Sequence, residues 1–346
     1  MTDGRTSGGP LPSVVGARAL LGASFDELHR SSGPMRHASF YVGAIVLGTA
    51  GPFALALWAF AALGSGLSLE TLESLGETTS GAWLAILGFL AVMGVIVASI
   101  ESQAVAIALL GGQLVERPVS VREAVQRSRM SFWRLLVAAF LVGIPVAIVQ
   151  RPIDTTLGEG SQAALVLGLA VGILINGPFI YAPAGIVLGG VGPVQALHRS
   201  VRVFRARKTV GLMLAILPTV SQVLLIFALG TGVDIMLRMI TALGLGTDSG
   251  TAGLAFLTII LVAGVFAVGT LLFTASAIIV APQVVMFVGL TSTIAGLEPV
   301  RPGGSHAPDG VGSRERRFRW LTRPMLAAFA FGAFGLAVAV SSIGGG

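Results

Sequence analysis

Between Arg36 and Glu70 the chain runs for 33 residues without a formal charge, five further gaps between charged residues hold 16 residues or more, and so does the run after Arg323. Most of what fills these gaps is apolar. A run of about 20 apolar residues is long enough to cross the hydrocarbon core of a bilayer as a helix. In lipid a helix is also the form that satisfies its backbone amides and carbonyls internally. Composition points the same way. Charged residues make up 11% of the chain, against about 25% in a typical soluble domain, and 54% of residues are hydrophobic. Mean hydropathy is +0.88. A soluble enzyme is excluded. The chain has no cysteine, which removes disulfides, thiolate catalysis and cysteine-ligated metals.

The gaps predict spans at Ser39–Leu63, Gly81–Val115, Ser161–Val191, Thr209–Val233, Thr251–Gly289 and Pro324–Val340. A further span lies between Arg134 and Arg151, where only 16 residues are available, so Arg134 is expected to snorkel at its edge. Charge parity sets the count. Lys and Arg concentrate in short cytoplasmic segments, and segments 1–38, 116–134, 192–208 and 290–323 hold 20 of the 22 basic residues. Arg151 and Arg238 fall on the other side, together with Glu70, Glu73, Glu77, Asp154, Glu159, Asp234 and Asp248. Successive inside segments are separated by an even number of crossings, which gives seven spans with the N-terminus in the cytoplasm. The net charge of +6 therefore belongs to one membrane face and is no nucleic-acid footprint. The 39 residues from Thr251 to Gly289 would extend about 58 Å as a helix, nearly twice the ~30 Å core. They are expected to bend at Pro282 or to leave the membrane as a stalk, and Pro52, Pro145, Pro178, Pro183 and Pro218 offer kinks elsewhere.

Three cytoplasmic segments align without gaps on an Arg-Ser pair: Phe25–Ser31, Arg122–Ser128 and Val194–Ser200. Leu28, Val125 and Leu197 coincide, and a proline follows each serine at 17 to 21 residues (Pro52, Pro145, Pro218). Leu110-Gly-Gly112 is echoed by Leu188-Gly-Gly190, and Ala182-Pro183 by Ala281-Pro282. The pattern predicts an all-α bundle of three units, at about 24–115, 116–191 and 192–291. Each unit is a short amphipathic helix, a span, an outer loop and a long returning span. Residues 1–23 read as a disordered cytoplasmic N-terminus, 292–323 as a mobile Gly/Pro/Arg-rich linker, and 324–341 as a seventh span outside the pattern. Ala328, Gly332 and Gly335 leave room for that last helix to dock on the bundle or on a second copy.

Two readings of the linker helices stay open. In one, Arg30, Arg127 and Arg199 hold topology and lie at the anionic inner leaflet, at about 1 kcal/mol per basic residue, while Ser31, Ser128 and Ser200 cap or pack. In the other, the helices converge into a cytoplasmic ring that binds a lipid phosphate or a partner protein. Phe40, Tyr41 and Trp133 fit interfacial anchoring in either case. No catalytic residue emerges: G-x-S-x-G, H-E-x-x-H and P-loop patterns are missing. His29 and His198 occupy equivalent repeat positions without acidic or histidine partners at ligand spacing, so no metal site and no cofactor is expected. Glu101, beside Gln103, is the one carboxylate placed within a span. It lies about 30 Å from the outer end, where it reaches water or pairs with Arg127 or Arg199. With Asn176, Tyr181 and Gln283 it outlines an alternative polar path.

The segments Val121–Leu136 and Gly192–Phe204 resemble the linker helices of a bacterial and archaeal family of six-span proteins. That family is similar to the membrane domain of glycerophosphoryl diester phosphodiesterases. The resemblance covers about residues 20 to 295 and implies a six-span membrane domain without the soluble catalytic barrel, since no soluble segment here exceeds about 40 residues. The expectation is a non-enzymatic, multi-pass protein of the plasma (inner) membrane, a scaffold or envelope-homeostasis factor whose partners are membrane lipids or a cytoplasmic protein. The competing expectation is a transporter or channel component with its path near Glu101.

Overall fold

The computed structural model describes residues 16–63, 79–115, 118–158, 161–218 and 250–291, with the isolated positions 220, 231 and 238. Among them every regular element is helical. In chain order these are α1 (Ala17–Arg30), α2 (Ser32–Leu63), α3 (Thr79–Leu114), α4 (Val121–Leu157) and α5 (Gln162–Asn176). A 3-10 turn at Gly177–Phe179 leads to α6 (Ala182–Gly189) and α7 (Pro193–Ala206). Then come α8 (Lys208–Pro218) and α9 (Gly250–Thr291). Five stretches are long and apolar enough to cross a membrane: Ser32–Leu57, Ala82–Leu114, Val121–Leu157, Gln162–Gly189 and Thr258–Thr291. They match the first, second, third, fourth and sixth expected spans. The fifth enters the described residues only through α8, and the linker at 292–323 and the seventh span lie outside them.

Local chemistry sets where the helices begin and break. Ser31 separates α1 from α2, ahead of Gly33 and Pro34, while the aligned Ser128 sits inside the uninterrupted α4. There the following residues, Arg129 to Leu136, contain no glycine or proline to stop the helix. α4 starts on Ser120, whose hydroxyl accepts the Glu123 amide at 3.3 Å. Pro52, Pro145, Pro152 and Pro282 lie within continuous helices. The fourth span behaves differently. Gly177, Pro178 and Pro183 fall within seven residues, two amide donors are lost, and the helix breaks into α5, the 3-10 turn and α6. Gly190, at φ 61°, then closes α6 in a left-handed conformation that suits glycine.

The described residues form two compact units, one of 16–35, 103–218 and 276–291 and one of 36–63, 79–102 and 250–275. In the first, Ala104–Gly112 of α3 and Val280–Val288 of α9 are buried at every position, and Tyr181–Leu188 at all but one. A helix buried on all faces lies inside its bundle. In the same unit, α1 buries Leu20, Ser24 and Glu27, α4 buries Ala124, Val125, Phe132 and Leu135, and α7 buries Ala196 and Val203. α4 packs on α5, α6 and α7, and α6 packs on α7. In the second unit α2 and α9 approach closely: a Cβ on Gly269 would stand 2.7 Å from the Gly43 Cα and 3.0 Å from the Val42 carbonyl oxygen. Phe40 and Phe266 stack there at 5.8 Å, and Ala56, Leu84 and Leu87 cluster with Phe53 and Leu57. Lipid tails are as apolar as leucine, so close packing of this kind, more than escape from water, holds such helices together.

Candidate functional site

The three linker segments present the same positions inward and outward. Ser31, Ser128 and Ser200 are all buried, as are Glu27, Ala124 and Ala196 four residues earlier. Phe25, Arg122 and Val194 are exposed, and so are His29, Gln126 and His198. The arginines before the serines diverge. Arg30 leaves 57% of its side chain exposed, with Nη1 3.9 Å from a Glu27 oxygen. Arg127 is buried and pairs with Glu123 at 3.5 Å, one turn back on α4. Arg199 is half-buried, its guanidinium lying against Gly189. The outward face of α7 carries His198, Arg202 and Arg205, with Arg207 and Lys208 following, all exposed. Beside them Val194 is 58% exposed, and on α1 Phe25 is 61% exposed. On α7 an apolar side chain thus stands among cations, the composition of a helix lying in a headgroup layer, whereas Phe25 of α1 adjoins the exposed Asp26.

The buried serines differ in what they do. Ser200 Oγ accepts the Tyr181 amide at 3.1 Å and donates to the Pro178 carbonyl at 2.7 Å. One side chain from α7 thereby satisfies two backbone groups freed where the fourth span breaks. Ser31 Oγ and Ser128 Oγ are buried without a hydrogen-bond partner among the described residues. Arg134, expected to snorkel at the edge of its span, donates from Nη1 to the Gly190 carbonyl at 2.8 Å and caps the end of α6. Glu27 is buried on α1, and burial pushes its carboxyl above the ordinary value of 4.5, against the opposing pull of Arg30.

Glu101 is fully buried, and Tyr41 donates its phenol to Oε2 at 3.2 Å. The pairing escaped the sequence reading, which placed Tyr41 at the interface. A signal existed: the chain has 2 tyrosines against 18 phenylalanines, and a buried tyrosine hydroxyl asks for a partner. Of the other groups in the alternative polar path, Gln103 is half-buried, Tyr181 and Gln283 are buried, and Asn176 is exposed. These four belong to the first unit and Glu101 to the second. Asn176, facing outward, shares no buried lining with Tyr181 and Gln283. Among the described residues no three His, Cys, Asp or Glu side chains gather as a metal site would require.

The class that fold and composition define is an all-helical, multi-pass membrane protein. No family model, curated protein or solved structure matches the chain.

Proposed function

We propose that this protein is a non-enzymatic scaffold or envelope-homeostasis factor of the plasma membrane, built from three pseudo-repeated units plus a seventh span. In this reading its N-terminus is cytoplasmic and its linker helices engage anionic lipid headgroups of the inner leaflet. The observation that carries the reading is the outward face of α7, where His198, Arg202 and Arg205 stand exposed beside Val194 while Ala196, Ser200 and Val203 are buried. The likeness of the linker segments to the membrane domain of glycerophosphoryl diester phosphodiesterases belongs to the same proposal. Equal burial at equivalent positions of the three segments supports it. Arg30 and the exposed arginines of α7 take the lipid contacts, Arg199 reaches the same layer in part, and Arg127 steadies α4.

The test is lipid retention. The full chain is purified in mild detergent, and its bound lipids are compared with those of a variant carrying R30Q, R202Q and R205Q. At about 1 kcal/mol per basic residue near an anionic surface, the triple variant is expected to hold anionic lipid on the order of 100-fold more weakly. R127Q should leave retention intact. Unchanged retention in the triple variant removes the lipid role.

A second reading, a transporter or channel component, has Glu101 behind it. A fully buried carboxylate bonded to Tyr41 within a span is a functional candidate by default. Proteoliposome flux abolished by E101Q would favour that reading over the first.

A further inference from the structure

On α5, Leu165, Leu169, Gly172 and Asn176 follow one another at spacings of four, three and four residues, the repeat of a helix–helix seam. Leu165 is 58% and Leu169 45% exposed. A Cβ on Gly172 would meet nothing within 4 Å. α5 meets α4 on a different face, through Ala164 and Gly168, whose Cβ would stand 3.4 Å from Gln150 Nε2. The seam lies about a quarter-turn round the helix from that contact, and its last member is an exposed amide. Asn176 is the fifteenth residue of the 28-residue apolar stretch Gln162–Gly189, about 21 Å from its start. That is mid-bilayer, where water offers no hydrogen bonds and an amide facing lipid is costly. It makes no hydrogen bond with the described residues.

We infer that this face of α5 is the seam of a homodimer, its occupant the same face of a second copy. The amide explains the choice of partner. A carboxamide carries both an acceptor oxygen and a donor NH2, so two asparagines facing each other across a two-fold axis satisfy each other, as an isologous interface requires. Gly172, one turn away, lets the two backbones come near.

The chain has no cysteine, so single cysteines in the full-length protein report neighbours cleanly. Oxidative cross-linking in membranes is expected between copies at L165C, L169C and G172C. It should be absent at L167C and L174C, which are also exposed but lie on the far side of the helix. In liposomes, single-molecule photobleaching of N176L should show the dimer dissociation constant raised about tenfold, with N176Q closer to the native value. Equal cross-linking on both sides, a native protein that is monomeric at every density, or N176L dimers of native affinity each overturn the inference. So does a loss of thermal stability in N176L with the dimer unchanged, which places the amide's partner in its own chain.

Discussion

Three serines occupy aligned positions and are all buried, yet their hydrogen bonds predict different responses to the same substitution. In S200A, the Tyr181 amide and the Pro178 carbonyl lose the hydroxyl that now meets them at 3.1 and 2.7 Å. A buried backbone group left unsatisfied costs about 1–3 kcal/mol. The carbonyl keeps a second lone pair for a weaker contact, so the sum is about 2–4 kcal/mol. In S31A and S128A the hydroxyl removed has no partner among the described residues. Deleting an unpaired buried polar atom is neutral or stabilising, within about 0.5 kcal/mol of the native chain. The assay is reversible unfolding in mixed micelles titrated with a denaturing detergent, followed by circular dichroism. Lipid retention is measured on the same samples. Equal losses in all three variants would refute the reasoning, because a shared cost means a shared role that local hydrogen bonding does not supply. S200T retains the hydroxyl and should recover most of the S200A loss if its methyl is accommodated.

Two further outcomes follow from the same structure. The Glu27 carboxyl is raised above 4.5 by burial, so docked α1 holds its proton more tightly than undocked α1. Docking is then strongest below pH 4.5 and weakens as pH rises through the elevated value. Hydrogen exchange across 17–30 should show protection that falls with pH in the native chain and stays flat in E27Q. At the α2–α9 crossing, G269A puts a methyl against the Gly43 backbone and should cost about 1–3 kcal/mol by overpacking. G264A, on the same helix with nothing within 4 Å of its new methyl, should be at least as stable as the native chain.

What the sequence made legible was whatever lipid and water decide between them. A charge-free run of 33 residues has one low-energy form in a bilayer, so the helical class and five of the long apolar helices could be read from charge gaps alone. Whether the linker serines turn inward or meet a ligand stayed open in the sequence, because a serine suits either side of an amphipathic helix; all three are buried. What could not be read were the bonds that depend on where a neighbouring helix breaks. Arg134 was placed by the shortness of its span, and that argument knows nothing of the carbonyl that Gly190 leaves free at the end of α6. Tyr41 was placed by its position near a span's end, yet its hydroxyl meets a carboxylate 60 residues further along the chain. Both side chains are long and end in a donor, and a donor near a membrane has two outlets: the headgroup layer, or an acceptor stranded inside the bundle. Hydropathy weighs only the first. Stranded acceptors arise where helices end, break or carry a buried acid, as at Gly190, Pro178 and Glu101. In a chain of this composition the few polar side chains inside the apolar helices are therefore better matched to helix breaks and buried acids than to the membrane surface. Tyr41 and Arg134 are two independent cases of that pairing, and Ser200 on the linker helix α7 meets the break at Pro178 in the same way.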